Sequence, residues 1–154
     1  MSGAIQAWQR ALAAEHAAVF GYDVLGPRLD PGGQQQARND GAAHAASRDA
    51  TIAALVAAGQ VPVGPLPDYP LPFTVASPRA ARALAVRLEE GTAAAWRYLV
   101  AADADHRNPS ELSRTQLMTV RDGAVRELRA SAVRAVRWRR LVSPNAPTVP
   151  FPGI

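Results

Sequence analysis

Residues 59–77 read GQVPVGPLPDYPLPFTVAS, and this stretch decides the fold. It carries Pro62, Pro65, Pro67, Pro70 and Pro72, and a proline inside a helix removes a hydrogen bond and clashes with the preceding turn. The long segments on either side are rich in Ala and lack the alternation and hairpin turns of strands. At roughly 3.1 Å per residue in polyproline geometry, the stretch reaches well beyond a 25-residue helix of roughly 38 Å. A structureless loop of this length would otherwise argue against the assignment. It is therefore read as a crossover running along a helical bundle.

The other breaks are shorter. Segment one runs from about Gly3 to Leu25 and stops at Gly26-Pro27, a glycine C-cap followed by a residue that cannot continue the helix. Segment two runs from about Gln34 to Ala58, between Gly32-Gly33 and Gly59. Segment three starts at Ser77-Pro78, an N-cap with proline at the first helical position, and continues to about Asp105. Segment four starts at the capping box Asn108-Pro109-Ser110-Glu111 and runs to about Leu141. This predicts connections of about seven residues, the long crossover, and two or three residues. Two antiparallel hairpins joined by one crossover make a four-helix bundle of ferritin-like connectivity. The expected organisation is a bundle over 1–142 and an extended Pro-rich tail over 143–154, with Phe151 placing the tail along the bundle.

Composition narrows the chemistry. The chain has 154 residues, 33 of them Ala, and 48% are hydrophobic, enough for one domain with a real core. It has no Cys, which excludes disulfides, thiolate metal sites and cysteine nucleophiles. It has no Lys either, which excludes Schiff-base chemistry and a phosphate-loop lysine. All 17 basic residues are Arg, a bias that fits a GC-rich genome. The net charge is only +4, and residues 121–140 carry seven Arg against Asp122 and Glu127. No apolar run is long enough for a membrane span or a signal peptide, so a cytoplasmic protein is expected.

Helical periodicity sorts the faces. On segment one, Ile5, Trp8, Leu12, Val19 and Tyr22 form a stripe that includes Glu15, with His16 at its edge. On segment two, Ile52 and Leu55 extend back to Arg48, His44 and Asp40. Segment three buries Leu84, Leu88, Ala95 and Leu99, with Glu89 on the flank. Segment four buries Leu117, Ala124, Leu128 and Ala135, and its Arg126, Arg129, Arg134, Arg137 and Arg140 fall on the opposite face. Glu15, His44 and Glu89 each lie near mid-helix, so they are expected to share one layer. Buried carboxylates must be paired or metal-bound.

Several short motifs carry a resemblance: AAEHAAVFGY at Ala13–Tyr22, AHAASRDA at Ala43–Ala50, DYPLP at Asp68–Pro72 and FPG at Phe151–Gly153. With these the chain resembles a family of ferritin-like domains of unknown function from high-GC, actinobacterial genomes. The resemblance implies a ferritin-like bundle and no settled activity. Di-iron bundles use one Glu from each of two helices and Glu-x-x-His from each of the others. Glu15 and Glu89 match the single glutamates, and Asp40 with His44 offers a shifted version of the motif. Helix four has no His, and Asp122 and Glu127 do not face inward. Arg48, one turn from His44, would neutralise Glu15 and take the metal's place.

Three functional readings follow. The leading one is a non-enzymatic binding or structural bundle, with no cofactor, whose degenerate di-iron position holds a polar network of Glu15, His44, Arg48 and Tyr22. The second is an iron or manganese protein, or an oxidase, using Glu15, His44, Glu89 and Asp40. The third is an anionic partner held by Arg126, Arg129, Arg137 and Arg140. Nucleic acid is disfavoured, since only Trp138 lies among those arginines and no DNA-binding motif accompanies them. A homodimer or protein partner through that face is preferred. His106, at the end of segment three, suits the helix dipole and is given no site role.

Overall fold

The computed structural model describes residues 3–103 and 112–148. Four helices form a bundle: α1 Gly3–Leu25, α2 Pro31–Ala57, α3 Pro78–Asp103 and α4 Arg114–Val142, with a single 3₁₀ turn at Gly26–Arg28. No strand occurs among the described residues. Helix α1 packs on α2 and α3, and α3 packs on α4.

Local chemistry sets the helix ends. Asp30 caps α2 by accepting from Gly33 N at 2.9 Å, and Pro31 occupies the first turn. The cap overrides Gly32-Gly33, so α2 begins three residues before the expected Gln34. Ser77 accepts from Ala80 N at 3.2 Å and starts α3. Helix α4 begins at Arg114, later than the Asn108–Glu111 box implied, because Ser113 and Gln116 form a capping box of their own. The proposed box at 108–111, His106, Phe151 and the FPG motif lie outside the described residues.

Contacts between helices fix their directions. Glu15 meets Ser47 and Tyr22 packs on Gly41, so α1 and α2 are antiparallel. Glu15 also meets Trp96 while Tyr22 meets Glu89, so α3 is antiparallel to α1 and parallel to α2. Two parallel consecutive helices require a connection as long as the bundle, and residues 58–77 supply it. Gln9 anchors the crossover by donating to Val61 O and accepting from Val63 N, both at 2.8 Å. His16 meets Val63 O at 3.1 Å, and Phe20 lies 5.2 Å from Tyr69, centroid to centroid. The chain thus climbs the outside of α1, and Val75 re-enters the core.

The core has two halves. One gathers Ile5, Trp8, Leu12, Leu55, Trp96 and Leu99; the other gathers Tyr22, Leu25, Leu29, Leu84 and Trp138. Leu12, Leu55, Leu84 and Leu99 are essentially inaccessible to water. Each stabilises the fold by about 1.5–3 kcal/mol relative to an exposed side chain. Between the halves, in sequence and in space, sits a layer of polar side chains.

Candidate functional site

The polar layer takes one or more residues from every helix. Glu15 of α1, His44 of α2 and Glu89 of α3 are all at 0% exposure. The imidazole bridges the carboxylates, with Nδ1 2.7 Å from Glu15 Oε2 and Nε2 3.0 Å from Glu89 Oε1. Glu15 Oε1 accepts from Trp96 Nε1 at 2.7 Å and from Ser47 Oγ at 3.0 Å. Glu89 Oε1 accepts from the Tyr22 hydroxyl at 2.6 Å. Arg134 Nε of α4 donates to both Glu89 oxygens, at 3.0 and 3.1 Å, and its Nη2 donates to Ser131 Oγ at 3.1 Å.

The electrostatics follow from this geometry. Burial alone would push the His44 imidazole down. Hydrogen bonds to the Glu15 and Glu89 carboxylates, with their negative charges, outweigh burial and raise its pKa from 6.5 to about 9. At neutral pH His44 is an imidazolium and both ring nitrogens donate. Two carboxylates then face two cations, and the layer is neutral overall. Burial and the Glu89 charge lift the Tyr22 phenol well above its usual value, so it stays protonated and remains a donor. Tyr22 also stacks on the imidazole, centroids 5.5 Å apart.

Asp40 stands next to this cluster. It is 4% exposed and accepts from Trp138 Nε1 at 2.9 Å. Burial, then the neighbouring Glu89 charge, raises its pKa above the usual carboxylate value. Asp40 makes no described hydrogen bond to His44, Glu15 or Glu89.

Arg48 does not enter the network. Its Nε donates to Asp49 Oδ1 at 2.8 Å, near the surface. The buried face of α2 runs through Ala37, Asp40, His44, Ser47, Thr51 and Leu55, and Arg48 stands on its flank. The cation on Glu89 is Arg134, which the helical wheel had placed on the outer face of α4. The buried stripe of α4 is Ala124, Ser131, Arg134, Ala135, Trp138 and Arg139: it keeps Ala124 and Ala135 of the expected line, while Leu117 and Leu128 are only partly buried against the core. Small Ser131 and Ala135 leave room for a guanidinium beside Glu89. Trp96, a core aromatic of α3, is a donor to Glu15. Arg126, Arg129, Arg137 and Arg140 are exposed, as the wheel placed them.

This donor set does not fit a di-iron centre. A metal needs unprotonated imidazole nitrogen and free carboxylate lone pairs. Both nitrogens of His44 are turned to carboxylates, and each carboxylate oxygen already accepts from a protein donor. Among the described residues no group of three or more His, Cys, Asp or Glu side chains is arranged to hold a metal ion. The arrangement can hold charge in register across four helices, and it leaves no free acid–base pair.

Fold and site together define a four-helix bundle with a charge-compensated polar layer at mid-core. Residues 7–154 match the family described as a domain of unknown function, DUF4439, and the chain belongs to that family. It is similar to a conserved hypothetical protein, rv2844, from Mycobacterium tuberculosis, whose crystal structure superposes with a TM-score of 0.77. The two are 32% identical, over 90% of this chain and 96% of that one. No curated protein matches. No described helix is long and apolar enough to cross a membrane.

Proposed function

We propose that this chain is a ferritin-like bundle in which a self-neutralised polar layer replaces the di-iron centre, and that its role is binding or structural. The parallel α2 and α3, joined by a long crossover, support the ferritin-like assignment. The observation that carries the rest is Arg134 Nε bonded to both oxygens of Glu89 while His44 spans Glu89 and Glu15. A guanidinium and an imidazolium supply the positive charge that metal ions supply in di-iron bundles. The layer then sets helix register, since each of its charges has one low-energy arrangement. A cytoplasmic location belongs to the same reading, and so does a high-GC, actinobacterial source, which the all-Arg basic set and the Mycobacterium tuberculosis relative support.

The test is elemental analysis of protein purified without chelator or His tag from cells grown with iron and manganese. The expected result is metal far below one equivalent. Near-stoichiometric iron or manganese, lost on Glu15→Ala, would overturn this reading in favour of a metalloprotein using Glu15, His44, Glu89 and Asp40.

A second reading concerns the outside of α4. Arg126, Arg129, Arg137 and Arg140 are exposed and make no described ion pair, which favours an anionic partner for that face. Such binding would weaken steeply with added salt.

A further inference from the structure

A groove of about 440 Å³ runs between α3 and α4, within the range of about 300–1,000 Å³ usual for small-molecule sites. Its walls are small and apolar: Ala93 from α3, and Ala132, Val133 and Val136 from α4. Val133, 51% exposed, presents its methyls to the groove. Arg137 and Arg140 stand at the rim, both exposed and without an acidic partner in direct contact among the described residues. The only acid in the lining, Glu90, is occupied by Arg139 Nη2 at 2.6 Å. The other arm of Arg139 donates to Pro147 O at 2.9 Å and holds the tail against the groove, so that Thr148 joins the lining.

An apolar trough with two exposed guanidiniums at its mouth complements one kind of molecule. We infer that this groove binds an amphipathic anion, an alkyl or acyl chain ending in a carboxylate. The chain would lie on the Ala and Val wall. The carboxylate would meet Arg137 and Arg140 while the internal pair Glu90–Arg139 stays closed. A neutral or cationic amphiphile would lose the head-group contact, and a short polar anion would lose the trough. The groove shares no residue with the Glu15–His44–Glu89–Arg134 layer. Metal content therefore tests that layer, and ligand binding tests the groove.

The experiment is isothermal titration of the full chain with octanoate, decanoate and laurate below their micellar concentrations, beside dodecanol and dodecyltrimethylammonium. Laurate is expected to bind with one-to-one stoichiometry. Affinity should rise about two- to fourfold per added methylene along the acid series. Dodecanol should bind about tenfold more weakly, and so should laurate to the Arg137→Gln/Arg140→Gln double variant, whose substitutions are both on the surface. Ala132→Trp, which fills the trough, should abolish laurate binding; its thermal transition confirms that the variant is folded. No laurate binding, equal binding of laurate and dodecyltrimethylammonium, or laurate binding unchanged by Ala132→Trp would each overturn the inference. So would a concentration-dependent dimer that Ala132→Trp abolishes, since the occupant of the groove would then be a second copy of the chain.

Discussion

The Arg134 guanidinium lies on the Glu89 carboxylate, with Nε 3.0 and 3.1 Å from its two oxygens, at the centre of a bundle whose other helices contribute no further Arg to that layer's described contacts. The contact joins the fourth helix to the third at the height where His44 joins the second to the first. Removing either cation leaves a buried carboxylate short of charge.

Arg134→Leu should therefore destabilise the fold by about 3–5 kcal/mol, the usual effect of breaking a buried pair from one side. Arg134→Lys keeps the charge but not the fork that reaches Glu89 and Ser131 together, so it should recover only part of the loss. Glu89→Gln/Arg134→Leu removes both charges and should be less damaging than the sum of the single changes. Urea denaturation of the parent, the three single variants (Arg134→Leu, Arg134→Lys and Glu89→Gln) and the double variant reads these differences.

Stability should fall as pH rises above neutrality. His44 carries a pKa of about 9 in the folded chain, against 6.5 unfolded. A raised basic group stabilises fully below the unfolded value and loses that contribution as pH climbs through the folded one. The window is therefore from about pH 6.5 to about pH 9, and the loss is about 3 kcal/mol at one pKa unit per 1.36 kcal/mol. His44→Gln should lower stability at pH 6 and flatten the profile across that window. Chemical denaturation at half-unit intervals of pH measures both.

Two glycines should respond in opposite directions to Ala. Gly91 is exposed in the middle of α3, and a methyl there meets nothing within 4 Å. Gly91→Ala should stabilise by about 0.5–1 kcal/mol through backbone entropy. At Gly41 the methyl would stand 3.1 Å from Tyr22 Cβ. Tyr22 cannot give way easily, because its hydroxyl is held 2.6 Å from Glu89 and its ring lies on His44. Gly41→Ala should destabilise by about 1–3 kcal/mol, as overpacking does. Thermal melts distinguish the two.

The crossover should loosen when Gln9 is removed. Its amide makes two of the three hydrogen bonds that hold the Val61 and Val63 backbone to α1, and His16 makes the third. Gln9→Ala should cost about 1 kcal/mol and increase proteolytic cleavage within residues 59–68 several-fold, while the four helices stay intact. Limited proteolysis with mass spectrometry locates the cuts.

Much of this architecture was legible in the sequence. The prolines of 59–77 and the Gly26-Pro27 stop fixed where helices could not be, and α1 spans the residues expected. Glu15 and His44 could be placed in one layer because periodicity and mid-helix position agree on both; periodicity set Glu89 on the flank of its stripe, and only its mid-helix height put it in the layer. Arg134 escaped because a long cation on an Arg-rich helix reads as solvated, and the wheel was centred on Leu117 and Leu128. The signal for it was the spacing of Ala124, Ser131, Ala135 and Trp138, which draws a small-residue face with Arg134 beside it. Arg48 was the wrong arginine for a related reason. One helical turn from His44 is near enough in sequence, but the side chain leaves on the flank and finds Asp49 first. The start of α4 was misplaced because two capping boxes compete within a few residues, and local sequence does not rank them.

At neutral pH His44 holds two protons and spans two carboxylates. Nitrogen-15 NMR of the histidine rings tests it directly, on protein at neutral pH with and without added zinc. Both ring nitrogens of His44 should be protonated, with shifts that hold to well above pH 7 and do not move when zinc is added. An unprotonated nitrogen on His44 at neutral pH, or a shift on adding zinc that Glu15→Ala abolishes, would contradict it.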